Sequence, residues 1–481
     1  MRRRVRALFH RPFLFIGGRR ALALFTALLL AGCASLSVPM NEPLHRAAGN
    51  TEYRLLDLNR AGGAASALVL VAISGGGKRS AAYGFGVLRG MRKIEVRPEG
   101  KNSTLLKEID LLAGVSGGAF PVAHYGLYGE KSFATFPDDF LYRDIDAYIW
   151  GTFLLPWNWG WLFNPLVGTN DRMTQIYDRL MFHGATFADL YRRGRPQISI
   201  NATDVSFGSP FGFLPQSFDV ICSDLASMPI ARAVAASNGF PVLFGPVTLR
   251  NYRGPNCPLP APPQAREPVQ SDLRTRTLLA NLDRYANGQQ TPWIHLMDGG
   301  ISDNLALRVV LNDMLLLDTR AERFSTGLLP VRRILVISVD GQSAPNPNWP
   351  RQRVISGLGQ IISAVTSTQI GSYNVETLIA VKSAVDELTN ELRRMRCREG
   401  PVIDGHACGD VTGKVLRIRL SDYPDPETRA RLVAIRTGLT LPRQQVDALV
   451  AAGETMIGGD AGTIAAFLHP AAPTEIDTAR R

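Results

Sequence analysis

Two short apolar runs, each passing directly into a glycine-rich turn, constrain the fold of this chain more than any other feature. The run ALVLVAI occupies 67–73, and IDLLAGV at 109–115 passes straight into the Ser-Gly-Gly turn at 116–118. Continuous apolar runs of this length are typical of strands that are buried on both faces. Segments rich in Ile and Val at 196–205 and 332–340 extend the pattern. Because helical patterns alternate with these strands, we predict an α/β layer fold with a mainly parallel sheet.

The sequence GVSGG at 114–118 is a G-x-S-x-G motif between a predicted strand and a predicted helix. A serine at such a strand-to-helix turn adopts a strained backbone conformation that holds its hydroxyl at the end of the sheet. The neighbouring glycines remove side chains that would clash with the strand and the helix. We therefore interpret Ser116 as a nucleophile.

A second glycine-rich turn, SGGGKRS at 74–80, follows the first predicted strand. It is not a Walker motif, because Lys78 is followed by Arg79, and the dinucleotide fingerprint requires Gly where Ser80 stands. Three successive glycines instead present backbone N–H groups at the positive end of a helix predicted from Ala81. Such groups are suited to binding an oxyanion. The alternative is a tight turn without a ligand.

A nucleophilic serine requires a base, which is most often a histidine. His124 lies two turns along the helix that follows Ser116, about 12 Å away along the axis, which favours a packing role. His295 is the one serious histidine candidate. Asp298, three residues later, opens a D-G-G sequence and is either a turn former or the base. An aspartate with its ordinary pKa of roughly 4 is a poor base unless burial raises that value, so both residues remain candidates on these grounds.

Together the three motifs resemble the patatin-like phospholipase family, in which a glycine-rich loop followed by Arg, a G-x-S-x-G motif and a D-G-G motif occur in this order. The resemblance covers residues 67 to about 342, including INATDV and the stretch AVAASNGFPVLFGPV before D-G-G. It implies a three-layer α/β fold with a central, mainly parallel sheet and helices on both faces. It also implies a Ser-Asp dyad in place of a triad.

The resemblance assigns a role to each motif of this chain. Ser116 would be the nucleophile and Asp298 the base. Arg79 would either shape the glycine-rich loop or bind a phosphate of the substrate. Ser80 departs from the family, which most often has Gly after the Arg. The oxyanion hole would be formed by Gly75, Gly76 and Gly77.

The activity implied by the resemblance is hydrolysis of acyl esters in lipids, of the phospholipase A, lysophospholipase or carboxylesterase type. No cofactor is expected, and no acidic cluster has the spacing of a calcium loop. Two alternatives remain open. The chain could be a lipid-binding envelope lipoprotein without turnover, or an acyltransferase in which a lipid or sugar hydroxyl replaces water.

The first 32 residues have the features of a secretory signal peptide. They contain seven Arg and no acid, and they end with an apolar run before LAGC at 30–33, which resembles the lipobox of bacterial lipoproteins. Cys33 would be diacylated after cleavage, and residues 33–64 would form a tether. Ala34 is not the Asp that often retains such proteins at the inner membrane. We therefore predict an outer-membrane anchor facing the periplasm, with membrane lipids as anchor and substrate.

The positive charge of the chain is concentrated in this leader. The formal net charge is +11, but 46 Lys and Arg against 42 Asp and Glu remain after residue 32, which is a net charge of +4. A balance so close to neutral argues against a nucleic-acid partner.

Residues 65–342 are predicted to form the catalytic domain, and 343–481 a mostly helical C-terminal elaboration of the same domain. Within the latter, a helix is expected from Ile355 to Arg394 and a strand at 414–420. Disulfides persist in the predicted compartment. Cys397 and Cys408 bracket a short loop and can pair, and a pairing of Cys222 with Cys257 is a weaker hypothesis.

The segment from Ala147 to Asn170 contains no charged residue and four tryptophans. Prolines interrupt it, and tryptophans favour a membrane interface over the hydrocarbon core, so a spanning helix is not indicated. We predict a lid or membrane-facing loop that guides acyl chains to Ser116. The alternative is that these aromatic side chains pack into the core.

Overall fold

The computed structural model describes residues 40–46, 65–154, 168–241, 244–260, 273–312, 328–342, 353 and 358–469. The predicted signal peptide, the lipidation site Cys33, and Trp157 and Trp159 of the predicted lid lie outside the described residues.

The described strands include those predicted from the apolar runs. They are β1 (Ala67–Ile73), β2 (Glu95–Val96), β3 (Ser103–Thr104), β4 (Ile109–Val115), β5 (Gln197–Asp204), β6 (Ser209–Gly212), β7 (Val247–Arg250), β8 (Trp293–Asp298), β9 (Arg333–Asp340), β10 (Val402–Ile403), β11 (His406–Ala407) and β12 (Thr412–Arg419). The predicted bounds of β1 and β4 are confirmed.

The described helices alternate with the strands in the first half of the chain and dominate the second half. They are α1 (Gly77–Met91), α2 (Ala119–Tyr128), α3 (Ser132–Phe136), α4 (Ile145–Leu154), α5 (Thr169–Tyr177), α6 (Phe187–Arg193), α7 (Pro215–Val220), α8 (Ile230–Ser237), α9 (Leu273–Ala286), α10 (Gly300–Asp303), α11 (Leu358–Glu399), α12 (Pro426–Val433), α13 (Arg443–Gly459) and α14 (Ala461–Leu468). Helix α1 begins at Gly77, four residues before the predicted start, and the backbone N–H of Lys78 in its first turn donates to the carbonyl of Gly438 at 2.8 Å.

An eight-stranded sheet forms the centre of the fold, in the order β12-β9-β1-β4-β5-β8-β7, with β6 paired to β5. The five strands from β12 to β5 are parallel to one another. Strand β8 is antiparallel to β5 and to β7. The sheet is therefore mainly parallel, as predicted, with an antiparallel edge.

Helices cover the sheet on both faces, which confirms the three-layer α/β fold. All seven residues of β1 are buried, and successive side chains of a strand point to opposite faces. Val69, Val71 and Ile73 pack in a core with residues of α1, α2 and α13. Leu68, Leu70 and Ala72 pack in a second core with residues 305–311 and with α11.

The C-terminal elements are attached to this sheet. Strand β12 pairs in parallel with β9 along its whole length, and α13 packs against α1. The long helix α11 covers the second core through Val381, Val385 and Leu392. The region therefore contributes one strand to the central sheet and a helix to each face.

Two disulfides link the four cysteines of the described residues, Cys222 with Cys257 and Cys397 with Cys408. Both hypothesised pairings are confirmed. Part of the predicted tether contacts the domain beside the first disulfide: the Asn41 amide donates to Ser223 Oγ at 2.8 Å, and Leu44 N donates to the carbonyl of Cys222 at 2.9 Å. Among the helices that the structure describes, none is long and apolar enough to span a bilayer.

Candidate active site

Ser116 lies directly after β4 in a left-handed backbone conformation, with φ of 50°. It opens a one-turn 3-10 helix, Ser116–Gly118, that leads into α2. The glycines of this turn allow close backbone contacts. A Cβ at Gly117 would lie 2.0 Å from the carbonyl oxygen of Gly77, and one at Gly118 would lie 2.3 Å from that of Ile73. The turn therefore packs against the glycine-rich loop in a way that only glycine permits.

Asp298 reaches Ser116 through the antiparallel edge of the sheet. Strand β8 pairs with β5 so that Asp298 stands opposite Ala202, and Asn201 stands opposite Val115. The last residue of β8 is thus level with the end of β4. Ser116 Oγ lies 2.9 Å from Asp298 Oδ2 and donates a hydrogen bond to it.

The D-G-G turn holds the carboxylate of Asp298 in place. Its second oxygen, Oδ1, accepts a hydrogen bond from Gly300 N at 2.7 Å. A Cβ at Gly299 would lie 2.3 Å from the carbonyl oxygen of Asn201, so this position also requires glycine. Gly299 lets the backbone approach β5 closely, and the N–H of Gly300 orients the carboxylate, so that Oδ2 faces Ser116.

Burial changes the basicity of Asp298, whose exposed fraction is 8%. Loss of hydration disfavours the charged form and raises the pKa of Asp298 to about 6, while the hydrogen bonds from Gly300 and Ser116 act in the opposite direction. A carboxylate with a pKa near 6 is ionised at neutral pH and is a far better proton acceptor than an ordinary aspartate.

Neither histidine candidate contacts Ser116. His295 Nδ1 is hydrogen-bonded to Thr248 Oγ1 at 3.1 Å, across the β7–β8 pair. His124 is buried, with its ring nitrogens 2.7 Å from Ser132 Oγ and 3.2 Å from Asp139 Oδ2. Of the candidates for the base, the structure brings only Asp298 to the serine.

The three glycines predicted to form the oxyanion hole differ in whether their backbone N–H groups are already hydrogen-bonded. Gly75 N donates to the carbonyl of Asn304 at 2.9 Å, so the prediction that Gly75 supplies an oxyanion donor is wrong. Gly76 and Gly77 adopt φ values of 137° and 58°, and their N–H groups donate to no backbone carbonyl of the described residues. The N–H of Gly117 likewise donates to no backbone carbonyl of the described residues. It is a further candidate donor that the sequence analysis missed, although a donor directly after the nucleophile is usual in G-x-S-x-G turns.

Arg79 does not face a substrate site. Its side chain is fully buried, and Nε and Nη1 each donate at 2.9 Å, to the carbonyls of Gly341 and Ile435 respectively. The assignment of Arg79 as a substrate-binding residue is therefore corrected. It shapes the surroundings of the loop, which was the other alternative.

Ser80 fits the loop through its hydroxyl group. Ser80 Oγ donates to the carbonyl of Ser74 at 2.6 Å, and Ser74 Oγ accepts from Gly341 N at 3.0 Å. The hydroxyl thus ties the first turn of α1 back to the end of β1.

Three consecutive residues that the sequence analysis did not single out contact the dyad. They are Ser237, Asn238 and Gly239, at the end of α8. The signals in the sequence are a polar Ser-Asn-Gly turn that ends an Ala-rich helical pattern, and the place of this turn in the stretch AVAASNGFPVLFGPV that belongs to the family resemblance. Within the described residues, no group of three His, Cys, Asp or Glu is arranged to hold a metal ion.

Comparison with known proteins gives one family. A profile of the Patatin family, described as patatin-like phospholipase, matches residues 71–311, which is half of the chain. No curated protein matches the chain. Among solved structures, the chain is similar to human GIVD cytosolic phospholipase A2, with 11% sequence identity and a TM-score of 0.42, covering 87% of this chain and 67% of that one.

A second structure, human GIVD cytosolic phospholipase A2 in complex with methyl gamma-linolenyl fluorophosphonate inhibitor and terbium chloride, matches with 12% identity and a TM-score of 0.38. It covers 92% of this chain and 64% of that one. The chain spans about two thirds of the length of these two solved structures.

Proposed function

Since this chain belongs to the patatin-like phospholipase family, whose members are lipid acyl hydrolases, we propose that it cleaves acyl esters of membrane lipids with Ser116 as nucleophile and Asp298 as base. The observation that carries the proposal is the contact of 2.9 Å between Ser116 Oγ and the buried Asp298 Oδ2. Among the described residues, no histidine contacts either atom. The proton of the Ser116 hydroxyl therefore passes directly to the Asp298 carboxylate when Ser116 attacks.

In the acylation step, Ser116 Oγ attacks the ester carbonyl carbon while its proton moves to Asp298 Oδ2. The carbonyl oxygen becomes an oxyanion, and backbone N–H groups of Gly76, Gly77 and Gly117 are the available donors for it. Donors of this type contribute roughly 3 to 4 kcal/mol each to acyl transfer. The C–O bond to the alcohol then breaks, and the leaving oxygen takes the proton from Asp298.

In the deacylation step, a water molecule gives a proton to Asp298 and attacks the acyl carbonyl carbon. The bond between Ser116 Oγ and the acyl carbon breaks, a fatty acid is released, and the proton returns from Asp298 to Ser116. Both steps need an ionised carboxylate at the start. The raised pKa of Asp298, about 6, suits this role because the group is ionised at neutral pH and still binds a proton readily.

We further propose that the protein acts as a lipoprotein of the bacterial cell envelope, anchored to the outer membrane through diacylated Cys33 and facing the periplasm. The support is the sequence LAGC at 30–33 after an Arg-rich, apolar leader. Membrane lipids would then serve both as the anchor and as the substrate.

The proposed activity is tested by the release of free fatty acid from mixed phospholipid micelles by the full chain, beside Ser116→Ala and Asp298→Asn. Removal of a nucleophile or a base typically costs on the order of 10⁴-fold or more in kcat. We expect release only by the unmutated protein, with all three proteins equally folded by circular dichroism. Equal inactivity of all three on phospholipids and on short acyl esters would overturn the proposal.

A further inference from the structure

The residues that hold the nucleophile and the base in register are consecutive in the sequence. At the end of α8, Ser237, Asn238 and Gly239 each contact a different part of the pair formed by Ser116 and Asp298. The three contacts arrive from one backbone segment, although Ser116 lies more than 100 residues before it and Asp298 about 60 after it.

Ser237 holds the backbone of the nucleophile. Its hydroxyl oxygen accepts a hydrogen bond from Ser116 N at 2.8 Å and donates one to the carbonyl of Asn201 at 2.6 Å. The Ser237 side chain is fully buried. Because Ser116 has a φ of 50°, its left-handed backbone needs support from its surroundings. The hydroxyl of Ser237 provides that support and links Ser116 to the strand that pairs with β8.

Asn238 contacts the hydroxyl of the nucleophile. Its Oδ1 lies 3.3 Å from Ser116 Oγ, and its Nδ2 donates to the hydroxyl of Tyr177 at 2.9 Å. Tyr177 is fully buried, so the carboxamide is held by a rigid partner. The carboxamide thereby limits the rotation of the Ser116 side chain away from Asp298.

Gly239 and Ser237 hold the backbone of the base. Asp298 N donates to the carbonyl of Gly239 at 3.0 Å, and Gly299 N donates to the carbonyl of Ser237 at 3.1 Å. A Cβ at Gly239 would lie 2.5 Å from Asn170 Nδ2 and 3.3 Å from the carbonyl oxygen of Ala236, so a larger residue there requires the Asn170 side chain or this segment to shift.

We propose that residues 237–239 form a clamp that sets the distance between Ser116 and Asp298, with Ser237 and Asn238 as positioning residues for the nucleophile. The role of the clamp rests on the proposed function, because it acts on the dyad of that reaction. A displacement of about 1 Å between reacting groups can cost on the order of 10²-fold in rate. Loss of the Ser237 hydroxyl leaves Ser116 N–H and the Asn201 carbonyl without their partner, so Ser116 is free to shift relative to Asp298.

The test compares Ser237→Ala with Ser132→Ala in the full chain. Ser132 is a matched control, because it is also buried and its hydroxyl is hydrogen-bonded to His124, away from the dyad. The first readout is the rate at which an alkyl fluorophosphonate labels Ser116. In this reaction an Oγ–P bond forms, the P–F bond breaks with release of fluoride, and the serine proton passes to Asp298. The second readout is kcat and KM on a short acyl ester.

For Ser237→Ala we expect labelling and kcat to fall about 10- to 100-fold, with little change in KM. Ser132→Ala should keep both rates per folded molecule. If Ser237→Ala does not fold, Asn238→Leu replaces it, since leucine has a similar volume without the carboxamide, and kcat should again fall while KM stays near the wild-type value. A variant of the clamp that is folded and labels at the wild-type rate overturns the inference.

The two proposals fail in different ways. Wild-type protein that is labelled rapidly at Ser116 but releases no fatty acid contradicts the proposed hydrolysis, while the effect of Ser237→Ala on labelling still decides the clamp. Wild-type protein that is not labelled at all contradicts both, because Ser116 is then not an activated nucleophile.

Discussion

The nucleophile half and the base half of the candidate site are built in different ways. Ser116 and the glycine-rich loop follow β4 and β1, which are adjacent parallel strands, and the backbones of the two turns touch where Gly117 meets Gly77. Asp298 ends the antiparallel strand β8, accepts a hydrogen bond from Gly300 N in its own turn, and donates one from its backbone N–H to the carbonyl of Gly239 after α8. Backbone packing between two glycine-rich turns thus dominates the nucleophile half, with support from Ser237. The base half combines one tight backbone contact, at Gly299, with hydrogen bonds across the fold.

This difference implies that different kinds of substitution should disrupt the two halves of the site. An added methyl group should be enough to disrupt the nucleophile half, because its contacts leave no space for a Cβ. Apart from Gly299, which also leaves no space for a Cβ, the base half should tolerate changes of volume better than changes of charge, because buried carboxylates respond strongly to neighbouring charges.

Among substitutions that leave both members of the dyad in place, the largest effect is expected from Gly117→Ala. The new Cβ would lie 2.0 Å from the carbonyl oxygen of Gly77, so the oxyanion loop or the serine turn must shift. We expect kcat on a short acyl ester to fall about 100-fold or more. Gly458→Ala is the control, because a Cβ at that position in α13 meets nothing within 4 Å. Unchanged kcat in Gly117→Ala would show that the close packing of the two turns is not needed for activity.

A smaller effect is expected from Asn238→Asp, measured as the pH dependence of kcat. In the wild type, activity requires ionised Asp298, so kcat should fall as the pH drops through about 6. A second carboxylate beside Ser116 disfavours ionisation of Asp298, so the apparent pKa of the two coupled carboxyl groups rises. The acid limb of the pH profile, where kcat falls with decreasing pH, should therefore move up by about one pH unit. Asn238→Leu adds no charge and should show no upward shift. An acid limb of Asn238→Asp that stays at the wild-type pH would argue against Asp298 as the group that titrates.

The smallest effect is expected from His295→Gln, which removes the competing candidate for the base. His295 is hydrogen-bonded to Thr248 and not to Ser116, and Gln retains a hydrogen-bonding side chain. We expect kcat to change by less than about twofold, since substitutions away from the site have small effects. The measurement is kcat beside Asp298→Asn on the same ester. A loss in His295→Gln as large as that in Asp298→Asn would transfer the role of base to the histidine.

Much of the fold could be predicted from local patterns. The apolar runs at 67–73 and 109–115 gave the bounds of β1 and β4, because a strand buried on both faces is recognisable from its own residues. The strands at 196–205 and 332–340 were found to within one residue at each end. The family was recognisable for the same reason, since its three motifs are short and each follows a strand.

The corrections concern contacts between distant parts of the chain. The N–H of Gly75 is occupied by the carbonyl of Asn304, and Arg79 is buried against the carbonyls of Gly341 and Ile435. Each partner lies more than 200 residues from the residue it contacts. A motif shows which donors a loop contains, but not which of them the rest of the fold has already used.

The sequence by itself thus determined the α/β class, the two buried strands, the turns that follow them and the residues able to form a Ser-Asp pair, because each depends on neighbours along the chain. Only the tertiary structure decided that β8 runs antiparallel, how the register of β8 brings Asp298 to Ser116, and that residues 237–239 contact both halves. The physical reason is that Ser116 and Asp298 are 182 residues apart. The distance of 2.9 Å between Ser116 Oγ and Asp298 Oδ2 is set by strand register and by hydrogen bonds that no local pattern encodes.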